Sequence, residues 1–133
     1  MSAPSDPIAP LRAWLTEWHT AVRAQDFEAG RKLCAPGLVA FGTVAPFVTG
    51  IDEIVKAQWE HVWPFIKGFT IDVANARGGI VGDYGWIAAT WDSRGLRPDG
   101  TDFARPGRCT IIFARRGGRW LATHTHFSLS PLR

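Results

Sequence analysis

The chain has 133 residues, of which 46% are hydrophobic and 20% charged, and its formal net charge is +3 at pH 7. This length and balance predict one globular domain over residues 1–133. No apolar run approaches the ~18 residues of a membrane span, and the basic residues form no face interleaved with aromatics, so neither a membrane nor a nucleic acid is expected as a partner.

The two cysteines and the first fourteen residues indicate the cellular compartment of the protein. Cys34 and Cys109 are isolated thiols without a CxxC spacing, which is unlike a disulfide framework or a zinc site. The first fourteen residues lack the apolar stretch of a signal peptide. We therefore expect a cytoplasmic protein with reduced, buried cysteines.

Three helices are predicted in the first half, after a loose leader over residues 1–6. Residues 8–24 repeat apolar side chains at helical spacing, at Leu11, Trp14, Leu15, Trp18 and Val22. A short second helix is expected over residues 27–34, stopped by Pro36 and Gly37. The third follows Thr49, which with Asp52 resembles a capping box, and its apolar stripe holds Ile51, Ile54, Val55, Trp59 and Val62.

Strands are predicted for the rest of the chain. "LVAFG" is a short apolar strand between the second and third helices. "FTIDVANA", "YGWIAATWDS", "DFARPGRCTIIFAR" and "RWLATHTHFSLS" follow, with "RPDG" and "RRGG" as turns. Consecutive strands with tight turns indicate antiparallel hairpins. Helices followed by a meander of strands predict an α+β fold with the helices on one face of the sheet.

The order of these motifs resembles the nuclear transport factor 2-like superfamily. "AQDFEAG", "LVAFG" and "VTGIDEI" appear in its order, and "RRGGRWLATHTHFSLSP" is similar to the W-x3-H-x-H-x-S ending of the SnoaL-like branch. The resemblance runs from Leu11 to Pro131. It implies a cone in which about three N-terminal helices pack on a strongly curved antiparallel sheet, with a pocket between them and homodimers through the outer sheet face.

The resemblance does not bring a catalytic mechanism with it. The Tyr, Asp base and Asp donor positions of ketosteroid isomerases fall at Trp18, Gly42 and Ile111, and none of these can serve as acid or base. The pocket arginines of the calcium/calmodulin-dependent kinase association domain fall at Ile111 and Phe127. The isomerase mechanism and that anion site are therefore not expected here.

An aromatic wall is expected inside the cone. The pocket-lining residues predicted on the helices and inner strands are Trp18, Phe41, Trp59, Trp63, Ile111, Phe113, Thr125 and Phe127. Such a wall suits a flat apolar small molecule without a cofactor. Alternatively, the rings fill the cone completely and leave no pocket.

The pair His124 and His126 admits three interpretations. Alternation on a strand places both on one face, about 6.6 Å apart, but no further ligand follows, so no metal is expected. Acid–base chemistry would need a carboxylate nearby, from Asp72, Asp83 or Asp92. The third interpretation is structural: both rings lie on the outer face, opposite Phe127, together with Trp120 and Ala122, unless a β-bulge swaps the faces.

Two function classes remain open. The first is a small-molecule-binding or dimerising module with no assigned catalytic residue. The alternative is a small cofactor-independent isomerase, cyclase or dehydratase for an apolar metabolite, with His124 and His126 as its catalytic residues. Loss of the acid–base positions favours the module.

Overall fold

Helical segments occupy the first half of the computed structural model, which describes residues 5–131. α1 spans Ala9–Ala24 and α2 spans Phe27–Lys32. The third helical segment, residues 51–65, joins α3 (Ile51–Ile54), a π-helical turn (Val55–Trp59), α4 (Glu60–Val62) and a 3₁₀ turn (Trp63–Phe65). Residues 1–4 of the predicted leader lie outside the described residues. No helix within residues 5–131 is both long and apolar enough to cross a membrane.

The strands of the described residues form one eight-stranded sheet. They are β1 (Cys34–Phe41), β2 (Val48–Thr49), β3 (Ile66–Ile71), β4 (Arg77–Val81), β5 (Tyr84–Leu96), β6 (Asp102–Ala104), β7 (Gly107–Arg116) and β8 (Arg119–Leu129). The order is β2-β1-β8-β7-β5-β3, and β4 and β6 also pair with β5. All pairs are antiparallel except β1–β8, which is parallel. The sequence predicted neither this parallel pair nor the β4–β5 hairpin.

The helices cover one face of a curved, unclosed sheet, as the α+β prediction stated. Register shifts interrupt the β1–β8, β3–β5 and β7–β8 pairings. Each shift increases the local twist and bends the strand. The sheet therefore wraps around the helices and forms the cone of the nuclear transport factor 2-like fold.

α1 supplies the centre of the core. The predicted stripe is confirmed: Leu11, Trp14, Leu15, Trp18 and Val22 are all buried. Trp14 stacks on Trp18, with ring centroids 5.3 Å apart, and its Nε1 donates to the carbonyl of Leu33 at 2.8 Å. This bond satisfies a polar atom that burial would otherwise make costly.

β1 begins four residues earlier than predicted. The carbonyl of Leu33 accepts from Trp14 Nε1 and from the backbone N–H of Ala122, so the chain joins the sheet at once. Cys34 pairs with Ala122, and the expectation of a helix through Cys34 is wrong. Pro36 and Gly37 are exposed and lie in the irregular part of β1. They interrupt the pairing of β1 with β8 and do not end a helix.

The predicted capping box does not form. The residue preceding α3 is Gly50, with φ of 95°, and no side chain caps the helix. Positive φ is accessible to glycine at low cost and strained for threonine. Asp52 instead pairs with Arg31 of α2, which ties the third helical segment to the second helix.

A β-bulge at Thr123 changes the faces of β8. Phe113 pairs with Ala122 and Ile112 pairs with His124, which leaves Thr123 without a partner in the ladder. Its hydroxyl donates to the carbonyl of Ile112 at 3.2 Å. Because of the extra residue, Ala122 faces the core whereas His124 faces outward. The expectation that Trp120 and Ala122 share the face of the histidines is therefore wrong, since Trp120 also packs against the core.

Candidate functional site

A small cavity, open to solvent on one side, lies in the cone between α1, the third helical segment and the inner face of the sheet. Its volume is about 40 Å³. A water molecule takes up about 30 Å³ in the liquid, and a cavity that binds benzene measures about 150 Å³. The aromatic side chains therefore fill most of the cone and leave room for one small group.

Six of the eight predicted pocket residues border this cavity: Trp18, Phe41, Trp59, Trp63, Thr125 and Phe127. Ile111 and Phe113 do not, because both are fully buried farther along β7. Trp14 covers Phe113 edge-on, with ring centroids 5.1 Å apart. Alternation along β7 gives both residues the inner face of the strand, and the structure places them in the core beside the cavity and not on its wall.

Phe41 borders the cavity from the end of β1, but its ring belongs to the outer face. The ring lies edge-on to His124 at 5.4 Å and to His126 at 5.1 Å. It also contacts Phe47 at 5.4 Å. Phe41 therefore separates the cavity from the outer surface of the sheet.

Trp18 is the centre of the aromatic wall. Its ring lies edge-on to Trp59 at 5.2 Å and Trp63 at 5.5 Å, and stacks on Phe127 at 5.8 Å. Trp59 and Trp63 stack on each other at 4.7 Å. Such offset and edge-on contacts are favourable aromatic geometries. They connect α1, the third helical segment and β8 into one rigid wall.

Gln58 closes one side of the cavity and was missed by the sequence reasoning. The π-helical turn presents its buried amide to the loop after β1, where Oε1 accepts from the N–H groups of Val44 and Ala45, both at 2.8 Å. Nε2 donates to Thr43 Oγ1 at 2.8 Å. A Cβ on Gly42 would lie 2.5 Å from the amide of Gln58. Gln58 therefore occupies the space that any side chain at position 42 would need.

Arg105 is the ionisable side chain on the cavity wall, and the sequence reasoning also missed it. It lies between β6 and β7, partly buried, with Nη2 donating to Thr43 Oγ1 at 2.8 Å. Its guanidinium carbon is 5.5 Å from the ring centroid of Trp91. Burial lowers the pKa of Arg105. Nothing in the pattern "FARPGR" distinguishes this arginine from those at turns.

Two indole N–H groups of the wall have no acceptor. Trp18 Nε1 and Trp91 Nε1 are buried and unbonded within residues 5–131, in contrast to Trp14 Nε1. A buried polar group without a partner costs about 1–3 kcal/mol. Both of these unbonded atoms are hydrogen-bond donors.

The histidines predicted as alternative catalytic residues lie on the outer face. His124 Nδ1 lies 2.8 Å from the carbonyl oxygen of Val39, across the parallel β1–β8 pair, and His126 is exposed. Neither ring pairs with a carboxylate in the described part of the chain, where Asp83 pairs with Arg115. Residues 5–131 also contain no cluster of three or more His, Cys, Asp or Glu side chains that could hold a metal.

Both cysteines are buried free thiols. Burial raises the pKa of Cys34 to about 12 and that of Cys109 to about 12. Because the thiolate is the reactive form, neither thiol is an effective nucleophile near neutral pH.

The cone and its aromatic cavity define a member of the nuclear transport factor 2-like superfamily. The chain belongs to the SnoaL-like domain family, whose model matches residues 11–132. A comparison with curated proteins finds no match.

Several solved structures share the fold. A nuclear transport factor 2-like superfamily protein from Salmonella enterica has a TM-score of 0.79 at 16% identity, covering 92% of this chain and 89% of its own. A ketosteroid isomerase-like protein from Erwinia carotovora also has a TM-score of 0.79 at 16% identity, and the match covers 96% of this chain and 100% of that protein. The association domain of C. elegans CaMKII has a TM-score of 0.68 at 21% identity, and the match covers 89% of this chain and 91% of that domain. At these identities the likeness concerns the fold alone.

Proposed function

We propose that this chain is a dimerising, small-molecule-binding module of the cytoplasm and not an enzyme. The cavity wall carries the proposal: its ionisable group is Arg105, and an arginine stays protonated at every physiological pH. General acid–base catalysis needs a group whose pKa lies near the working pH. The cavity is therefore suited to holding a ligand and poorly suited to moving a proton.

The outer face of the sheet supports the dimer. Trp86, Ile112 and His124 lie side by side across β5, β7 and β8, and Trp86 and Ile112 are 47% and 43% exposed. The next row runs through Thr110 and His126 to Phe41 of β1. On β1, β5, β7 and β8 these rows contain no Asp, Glu, Lys or Arg, and Arg77 of β4 lies at the far end of the second row, where it pairs with Ala88. A second copy can therefore cover the centre of the rows without burying a fixed charge.

Two copies related by a two-fold axis would bury the same rows against each other. One of the structural neighbours is an association domain, which is consistent with assembly through this fold. The buried free thiols agree with a reducing compartment.

The proposal is tested by sedimentation velocity at micromolar concentration. We expect a wild-type dimer and an Ile112→Asp monomer, because a carboxylate would be buried at the centre of the interface. Val81→Asp is the matched control, since Val81 is 83% exposed at the β4–β5 turn and lies outside the two rows. A wild-type monomer, or a dimer that Ile112→Asp leaves intact, would contradict the proposed assembly.

Catalysis is tested separately with the same samples. Wild type and Arg105→Met are incubated with a panel of apolar ketones, enones and secondary alcohols, and products are followed by mass spectrometry. We expect no turnover above the buffer rate. Turnover that His124→Ala or His126→Ala abolishes would restore the enzymatic alternative.

A further inference from the structure

We propose that the ligand of the cone cavity is a short monocarboxylate, held by the guanidinium of Arg105. This inference rests on the proposed ligand-binding function and names its chemistry. It starts from a charge imbalance in the cavity wall.

Arg105 is a partly buried cation without a counter-ion. Within residues 5–131, the carboxylates that pair with arginines pair with Arg12, Arg31, Arg94 and Arg115, and none lies within 4.0 Å of Arg105. Partial burial of an unpaired charge is costly, because protein replaces part of its hydration. An anion that enters the cavity would offset that cost.

The hydrogen-bonding capacity of Arg105 is also largely unused. A guanidinium has five N–H donors in a planar fork, and within residues 5–131 its one side-chain bond goes to Thr43 Oγ1. That hydroxyl oxygen already accepts from Gln58 Nε2, so its own proton is available for another acceptor. The geometry of the fork matches the two oxygens of a carboxylate.

The polar groups of the wall favour an anion over a cation. Trp18 Nε1 and Trp91 Nε1 are donors without acceptors, and Arg105 is positively charged. An acceptor-rich ligand reduces the number of unpaired donors, whereas a cation would add another donor and a like charge.

The volume sets the size of the ligand. About 40 Å³ accommodates a carboxylate head, and because the cavity is open to solvent on one side, a very short tail can extend into its mouth. The side chains of Trp59, Trp63, Phe69 and Phe127 around it are apolar and suit that tail. A ring-bearing acid would need the aromatic wall to open. Acetate and propionate are therefore the probes of matching size.

Tryptophan fluorescence is the readout, since Trp18, Trp59, Trp63 and Trp91 all border the cavity. Wild type is titrated with sodium propionate at constant ionic strength, and with propionamide, which has the same shape without charge. We expect saturable quenching by propionate in the millimolar range and about ten-fold or weaker binding of propionamide. Sodium chloride should give no saturable change.

Arg105→Met should weaken propionate binding about ten-fold or more. Arg116→Met is the matched control, because Arg116 is exposed at the β7–β8 turn, and it should bind as wild type. If Arg105→Met does not fold, Arg105→Lys keeps the charge and loses the fork, and weaker binding is again expected.

The proposal is overturned if wild type shows no saturable response to propionate, or if the Arg105 variant that folds binds propionate as tightly as wild type. Equal binding of propionate and propionamide would also overturn it, while leaving a neutral-ligand module intact. Sedimentation of the same samples keeps the dimer test independent of these results.

Discussion

Replacement of Trp59 by alanine should destabilise the protein more than replacement of any histidine. Trp59 is 3% exposed and lies at the centre of the third helical segment. It stacks on Trp63 at 4.7 Å and meets Trp18 edge-on at 5.2 Å. Its ring edge also lies against Gly30 of α2. Trp59→Ala therefore removes contacts to three helical elements at once.

The expected loss follows from these contacts. Truncating a buried Trp to Ala costs about 3–5 kcal/mol, and its two aromatic pairs place Trp59 at the upper end of that range. The higher helix propensity of alanine returns up to about 0.7 kcal/mol. A net loss of about 4 kcal/mol results, a large share of the 5–15 kcal/mol that stabilises a typical domain.

Urea denaturation followed by circular dichroism measures this loss as a fall in midpoint at unchanged slope. His61→Ala is the matched control: it lies two residues away on the exposed side of the same segment and should change stability by no more than about 0.5 kcal/mol. A loss below about 1 kcal/mol for Trp59→Ala would show that the cone does not depend on this wall.

Three further outcomes are expected. Gly107→Ala should lower the melting temperature by several degrees, because its Cβ would lie 2.0 Å from an indole carbon, whereas Gly37→Ala, with open space around it, should not; equal melting temperatures would refute this packing. Cys34 and Cys109 should resist a thiol-reactive dye at pH 8 until denaturant is added, since burial raises the pKa of each to about 12; rapid labelling of native protein would contradict their burial. Burial, reinforced by a neighbouring arginine, lowers the pKa of His19, so below about pH 6.5 the unfolded chain binds more protons and stability falls on acidification; a His19→Gln variant should lose less stability between neutral and mildly acidic pH, and an unchanged profile would refute this role.

The strongest sequence signals concerned packing. The apolar repeat of α1 predicted its buried face because a 3.6-residue period is independent of what the helix packs on. Trp18, Trp59 and Trp63, which the same period places on the inner faces of their helices, border the cavity. The outward position of His124 and His126 also agrees with the prediction.

The failures arose where tertiary partners override local pattern. Strict alternation would place Trp120 and His124 on one face of the strand. Because Thr123 is an extra, unpaired residue, the two side chains lie on opposite faces. The strand at Cys34 depends on a hydrogen bond from Trp14, nineteen residues earlier. Arg105 lies on the cavity wall because it contacts Thr43 and Trp91, which are distant in the sequence. No local sequence pattern predicts these contacts.

The parallel pairing of β1 with β8 has a consequence for how the chain reaches its native state. Val39 is paired with His124, 85 residues later. Loop-closure entropy must be overcome before such a pair forms, so folds rich in distant contacts fold slowly. During synthesis, β1 and the two-residue β2 cannot join the rest of the sheet until β8, the last strand, has left the ribosome. Until then an apolar strand edge stays uncovered, and that interval is when the chain is most exposed to aggregation.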